Sequence, residues 1–140
     1  MDKLVISVPS TIENNTPIID TITEYLESID CPMKATMQIS VALDEIATNV
    51  ASYAYEGLDL PDDKKTTTVE LERLDNGVAI TFIDNGHQYN PLEHEDPDIT
   101  LGAEERGIGG LGILMVKKSM DKVEYSYVEG QNRFTMTKFF

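Results

Sequence analysis

Hydrophobic positions along the chain follow two rhythms, and the order in which these alternate sketches the elements. Leu4-Val5-Ile6-Ser7-Val8 reads as a short strand. Ser10, with Glu13 three positions later, reads as a capping box that starts a helix, and Thr16 followed by Pro17 offers a second start. From either one, Ile18, Ile22, Leu26 and Ile29 recur at helical spacing until Asp30-Cys31-Pro32 ends the pattern. A second helix is predicted from about Met33 to Tyr55. Its stripe of Ile39, Leu43, Ile46, Val50 and Ala54 makes it the longest regular segment of the chain.

A polar loop with Asp59, Pro61, Asp62 and Asp63 comes next, and then Val69 and Leu71 alternate with Glu70 and Glu72. Asn76-Gly77 separates this run from Val78-Ala79-Ile80-Thr81-Phe82-Ile83 and predicts a hairpin, since both turn residues tolerate positive φ. Between Asp84 and Arg106 periodicity stops. Two prolines and the acids Glu93, Glu95, Asp96, Asp98, Glu104 and Glu105 predict a long mobile lid, hinged at Gly102 and Gly107. Leu111, Leu114, Met115 and Lys118 predict a third helix. Val123–Tyr127 and Arg133–Met136 predict a second hairpin around Gly130. With no repeat or linker to divide it, the chain 1–140 reads as a single α+β domain, one mostly antiparallel sheet covered by helices.

Charge narrows the function classes. Against 25 Asp+Glu stand 11 Lys+Arg, a formal net charge of -14. So negative a surface repels a polyphosphate backbone and anionic lipid, which argues against nucleic acid and membranes as partners but leaves a small nucleotide open. The opening Met1-Asp2-Lys3-Leu4 has neither the basic region nor the apolar block of a signal peptide, and no apolar run approaches the ~20 residues that cross a bilayer. With Cys31 as the one cysteine, a reducing cytoplasm is the expected location.

Three segments carry candidate chemistry. On the second predicted helix, Glu45 and Asn49 are four residues apart and share a face. A carboxylate beside an amide oxygen suits proton transfer and magnesium, although an isolated pair of this kind is more often an ordinary solvated helix face. Asp84-Asn85-Gly86 ends a strand. It is a common turn, and equally an aspartate that could accept from an exocyclic amine, with Gly86 leaving room for a flat base. Arg106-Gly107-Ile108-Gly109-Gly110-Leu111-Gly112 puts four glycines in six positions before a helix, a cradle for phosphate or else a hinge. Gly107, Gly109 and Gly112 fit G-x-G-x-x-G, but an acidic loop precedes them and only a helix and a hairpin follow, so a Rossmann unit is rejected. His87 and His94 read as solvated loop histidines rather than zinc ligands, and Tyr53 and Tyr55 as packing residues one turn beyond Asn49.

Taken in order, these segments resemble the GHKL nucleotide-binding module shared by gyrase, histidine kinases and mismatch-repair proteins. Ala42-Leu43-Asp44-Glu45-Ile46-Ala47-Thr48-Asn49 with Tyr53-Ala54-Tyr55, Asp84-Asn85-Gly86 with Pro91, Gly110-Leu111-Gly112-Ile113 with Met120-Asp121-Lys122-Val123, and the ending Gly130-Gln131-Asn132-Arg133 are similar to the compact anti-sigma-factor serine kinases. The resemblance covers nearly the whole chain. It implies a Bergerat-type two-layer α/β sandwich with a mixed, mostly antiparallel sheet. It also implies ATP and Mg2+ as cofactors, Asn49 as metal ligand, Glu45 as general base and Asp84 on the adenine amine. Gly86 would then pack near the base, Gly107, Gly109, Gly110 and Gly112 along the phosphates, and Arg106 would reach the γ-phosphate.

The implied activity is an ATP- and magnesium-dependent serine/threonine kinase that phosphorylates an antagonist protein in a partner-switching system. A sigma factor would be a second partner and a homodimer the assembly. Two features depart from that pattern: Glu13-Asn14-Asn15-Thr16 has no arginine early in the first helix, and the lid lacks a threonine-rich stretch. The rival expectation is a nucleotide-sensing module that uses ATP to order its lid and bind a partner without transferring phosphate. The ATP domain of a histidine kinase fits less well, because no upstream helix carries a phospho-accepting histidine.

Overall fold

Alternation of apolar and polar side chains makes the sheet amphipathic, and three helices cover its apolar face in the computed structural model, which describes residues 3–93 and 111–140. The elements are β1 (Lys3–Pro9), α1 (Asn15–Ser28), α2 (Met33–Asn49), β2 (Thr66–Leu74), β3 (Gly77–Asp84), α3 (Leu111–Ser119), β4 (Lys122–Val128) and β5 (Gln131–Phe139). The strand order is β1-β2-β3-β5-β4, and every pair is antiparallel. A mixed sheet is therefore corrected to a wholly antiparallel one among the described residues. Both hairpins join sequence neighbours, and β5 enters between β3 and β4, so no parallel crossover is needed.

The covered face carries Val69, Leu71, Val78, Ile80, Phe82, Phe134 and Met136. The helices answer with Ile18, Ile22 and Leu26 from α1, Ile39, Leu43 and Ile46 from α2, and Ile113 and Val116 from α3, all in one buried cluster. The opposite face is polar, as expected of an antiparallel sheet with one side in water. Lys3 pairs with Glu70 there at 2.9 Å, and the hydroxyls of Thr81 and Thr135 lie 2.8 Å apart. Among the described residues no helix is long and apolar enough to cross a membrane.

Three local expectations are corrected. The first helix begins at Asn15, beside the Thr16-Pro17 start and not at Ser10, after a 3-10 turn at Ile12–Asn14. Ser10 caps nothing: its hydroxyl accepts from Thr67 Oγ1, and its N–H donates to the Lys65 carbonyl, so β2 takes the groups a capping box would use. The second helix is α-helical only to Asn49 and continues as a π turn over Val50–Ala54. The first hairpin turns at Asp75–Asn76, because Leu74 pairs with Gly77. Gly77 is required by close approach: a Cβ there would collide with the Lys138 carbonyl of the neighbouring strand. The second hairpin turns as predicted, with Glu129 and Gly130 both at positive φ.

Candidate functional site

The end of α2, its π turn and the exit of β3 enclose a cavity of about 210 Å³. That is smaller than the roughly 300–1,000 Å³ of a pocket for a whole drug-sized ligand. It suits a flat ring with the rest of the ligand lying outside. Ile46, Val50, Ala54, Phe82 and Phe134 form apolar walls, Tyr53, Tyr89 and Tyr125 add aromatic ones, and Asn49, Asp84 and Asn132 supply the polar groups.

Asp84 is the last residue of β3 and is 7 % exposed. Burial pushes its carboxyl up from the ordinary aspartate value, and donors from Asn132 and Gly86 oppose that shift. Both donors use one oxygen: Asn132 Nδ2 and the Gly86 N–H each donate to Oδ1 at 2.9 Å. No hydrogen bond from a described residue reaches Oδ2, which leaves that oxygen with its capacity to accept unused among the described residues.

Gly86 enters the site by a different route from the expected one. A Cβ there would run into the carbonyl of Ala54, and the neighbouring His87 N–H donates to that same carbonyl at 2.8 Å. Its small size thus lets the β3 exit close against the π turn, and Gly86 is not among the residues lining the cavity. Tyr55 fastens the same junction. Its hydroxyl donates to the Thr66 carbonyl and accepts from the Asn85 N–H. Tyr53, by contrast, is 60 % exposed and lines the cavity. The π turn itself, a form common at functional sites, has no periodic signature that distinguishes it from continued α-helix.

Asn49 joins the cavity to Glu45. Its Nδ2 donates to Glu45 Oε1 at 3.4 Å, a long bond, and this orientation frees its Oδ1. A free amide oxygen one turn from a carboxylate is a hard-oxygen donor set that fits magnesium, an ion that keeps most of its waters. Gly112, in the first turn of α3, faces Glu45 so closely that a Cβ would overlap the carboxylate. Glu45, Asn49 and Gly112 are thus brought together, and Asn49 and Asp84 share the cavity. Arg106, Gly107, Gly109, Gly110 and the lid expected between Pro91 and Arg106 lie, beyond Glu93, outside the described residues, as does His94. His87 is exposed, its Nε2 against the Glu56 carbonyl.

Asn132 is the residue that reading the sequence for chemistry overlooked. It is 6 % exposed and pairs across the sheet with Asp84. A signal existed: Asn132, Phe134 and Met136 alternate onto the covered face, and a polar residue at an inward position needs partners.

The profile of the family described as "Histidine kinase-like ATPase domain" matches residues 8–138. Serine-protein kinase RsbW of Listeria monocytogenes is 31% identical over 111 residues, 76% of this chain and 67% of that protein. Anti-sigma F factor of Clostridium perfringens is 24% identical over 118 residues, 84% of this chain and 81% of that protein. Among solved structures, the RsbU and RsbW domains of a Mycobacterium tuberculosis protein superpose on 99% of this chain with TM-score 0.69 and 18% identity. This chain spans 32% of that longer one. The SiaB–SiaC complex of Pseudomonas aeruginosa gives TM-score 0.61 at 13% identity over 98% of this chain and 89% of that one. These likenesses to solved structures show the fold, and the family profile over residues 8–138 shows more: the chain belongs to the histidine kinase-like ATPase domain family.

Proposed function

We propose that the protein is an ATP- and magnesium-dependent serine/threonine kinase of the anti-sigma-factor type, acting on a small antagonist protein. The observation that carries this reading is the grouping of Glu45, Asn49 and Gly112 beside the cavity that Asp84 closes. In this reading Asp84 Oδ2 accepts from the adenine amine while the apolar walls hold the ring. Asn49 Oδ1 would hold magnesium, which when bound neutralises phosphate charge. Glu45 takes the proton of the attacking serine or threonine hydroxyl as its oxygen bonds to the γ-phosphorus and ADP leaves. Gly112 lets the first turn of α3 come close, so that backbone N–H groups face the phosphates. Gly107, Gly109 and Gly110 are proposed to extend that cradle, and Arg106 to reach the terminal phosphate. The kinase names of relatives such as RsbW support this assignment.

The test is incubation with MgATP and an antagonist-like protein encoded beside this one, followed by mass spectrometry of that protein. Phosphate on a serine or threonine is expected. MgATP-dependent binding of the partner without transfer would instead establish the non-catalytic sensor.

A further inference from the structure

Asn132 has every hydrogen-bonding position of its side chain in use. One amide hydrogen goes to Asp84 Oδ1 at 2.9 Å and the other to the His87 carbonyl at 2.6 Å. Its Oδ1 accepts from the Tyr89 N–H at 3.0 Å and from the Tyr125 hydroxyl at 2.5 Å. Two donors and two lone pairs exhaust a primary amide. One buried side chain therefore ties three things together: the carboxylate at the end of β3, the loop that leaves it, and the edge strand β4.

We infer that Asn132 is the positioning residue that sets base selectivity, by holding Asp84 as an ionised acceptor whose free oxygen faces the cavity and so favours 6-amino over 6-oxo purines. This rests on the proposed nucleotide site and adds to it a residue that the ligand need not touch. Selection follows from how Oδ1 is occupied. With the Asn132 and Gly86 donors both on that oxygen, the carboxylate cannot rotate without leaving a buried N–H unpaired. Only Oδ2 then meets the base. An ionised carboxylate has no proton to offer, so it pairs with an amine and opposes a carbonyl.

Burial works against the ionised form, and the Asn132 donor is the first of the two hydrogen bonds that counter it. Replacing that donor by a second carboxylate inverts the logic. Two carboxyl oxygens at hydrogen-bond distance do not both ionise, so the pair would keep a proton. An Asp84 that carries or shares a proton can donate to a 6-oxo group.

The experiment is calorimetric titration of the whole protein with MgATP and with MgITP, which differ at the purine 6-position. Wild type, Asn132→Asp and Asn132→Ala are compared, each checked for folding by circular dichroism. Wild type should prefer ATP by roughly 5- to 150-fold, the value of one well-placed hydrogen bond. In Asn132→Asp that ratio should fall to within a few-fold, with triphosphate binding retained. Asn132→Ala removes the donor without adding charge, and should lower the ratio as well; it carries the same test if the aspartate variant does not fold. The ratio is the informative quantity, because a loosened pocket weakens both nucleotides alike. An unchanged ATP/ITP ratio in a folded variant would overturn the role of Asn132 and leave the nucleotide site standing. A wild type that binds neither nucleotide would overturn both.

Discussion

Gly112 and Glu45 touch across the gap between α3 and α2, with no space between them for a single methyl group. The contact explains why a glycine stands in a helix, where it is otherwise unfavourable relative to alanine by roughly 1 kcal/mol. The obstructing atoms belong to the end of a flexible side chain, so a larger residue at 112 would displace the carboxylate rather than break the fold. Gly112→Ala should therefore leave the melting temperature within a few degrees of wild type, and lower phosphate transfer about tenfold or more by misplacing the base. Thermal melts and transfer assays on the same preparation check it; unaltered transfer would disconnect Gly112 from the chemistry.

Glu45→Gln should bind MgATP as wild type does and transfer phosphate about a hundred- to ten-thousand-fold more slowly, since the amide keeps the shape and loses the proton-accepting power. Single-turnover assays with the antagonist protein measure this. Turnover at the wild-type rate would make Glu45 a packing partner of Gly112 and favour the sensor.

For Asn49→Ala, the expected change is in the metal response. Its Oδ1 is the oxygen left free by the bond to Glu45, and without it nucleotide affinity should no longer rise with magnesium. Affinity in the presence of a chelator should change less. Equal magnesium responses in both proteins would remove Asn49 from the metal site.

Asp84→Asn should weaken ATP binding roughly 5- to 150-fold, because an amide that satisfies the Asn132 and Gly86 donors with its oxygen turns its own donor toward the adenine amine. Affinity unchanged in a folded variant would falsify the adenine contact.

The pH dependence follows from burial, which raises the Asp84 carboxyl. Tyr55 and Tyr125 are raised too, chiefly by burial and to a lesser extent by the Asp84 charge, and stay neutral through the acid range. A carboxyl with a higher pKa folded than unfolded binds more protons in the native state within that window. Stability due to Asp84 therefore falls as pH rises from the unfolded to the folded pKa, and is regained on acidification. Nucleotide affinity runs the opposite way: an adenine contact through the ionised form should be lost as pH drops through the raised pKa, at a higher pH than for an unshifted aspartate. Titrations of ATP affinity against pH, with Asp84→Asn as the flat control, check both the direction and the window.

Periodicity and turn chemistry by themselves determined most of the elements. The stripe from Ile39 to Ala54 reads as one helix face because burial of every third or fourth residue leaves a pattern in the chain, and all five of its members are buried. The spacing of Glu45 and Asn49, four residues on one helix, was legible for the same reason, since i and i+4 are neighbours in any α-helix. The tertiary structure decided what no local pattern encodes. Whether Ser10 caps a helix or bonds to Thr67 depends on β2 lying beside it, and whether helix 33–54 ends in an α or a π turn depends on the β3 exit closing against Ala54. Asn132 became part of the site only through sheet register, which sets it opposite Asp84 from 48 positions away. A hydrogen bond between residues so far apart in sequence is a property of strand order and pairing, and Gly112 meets Glu45 in the same way, only because α2 and α3 pack side by side on one sheet.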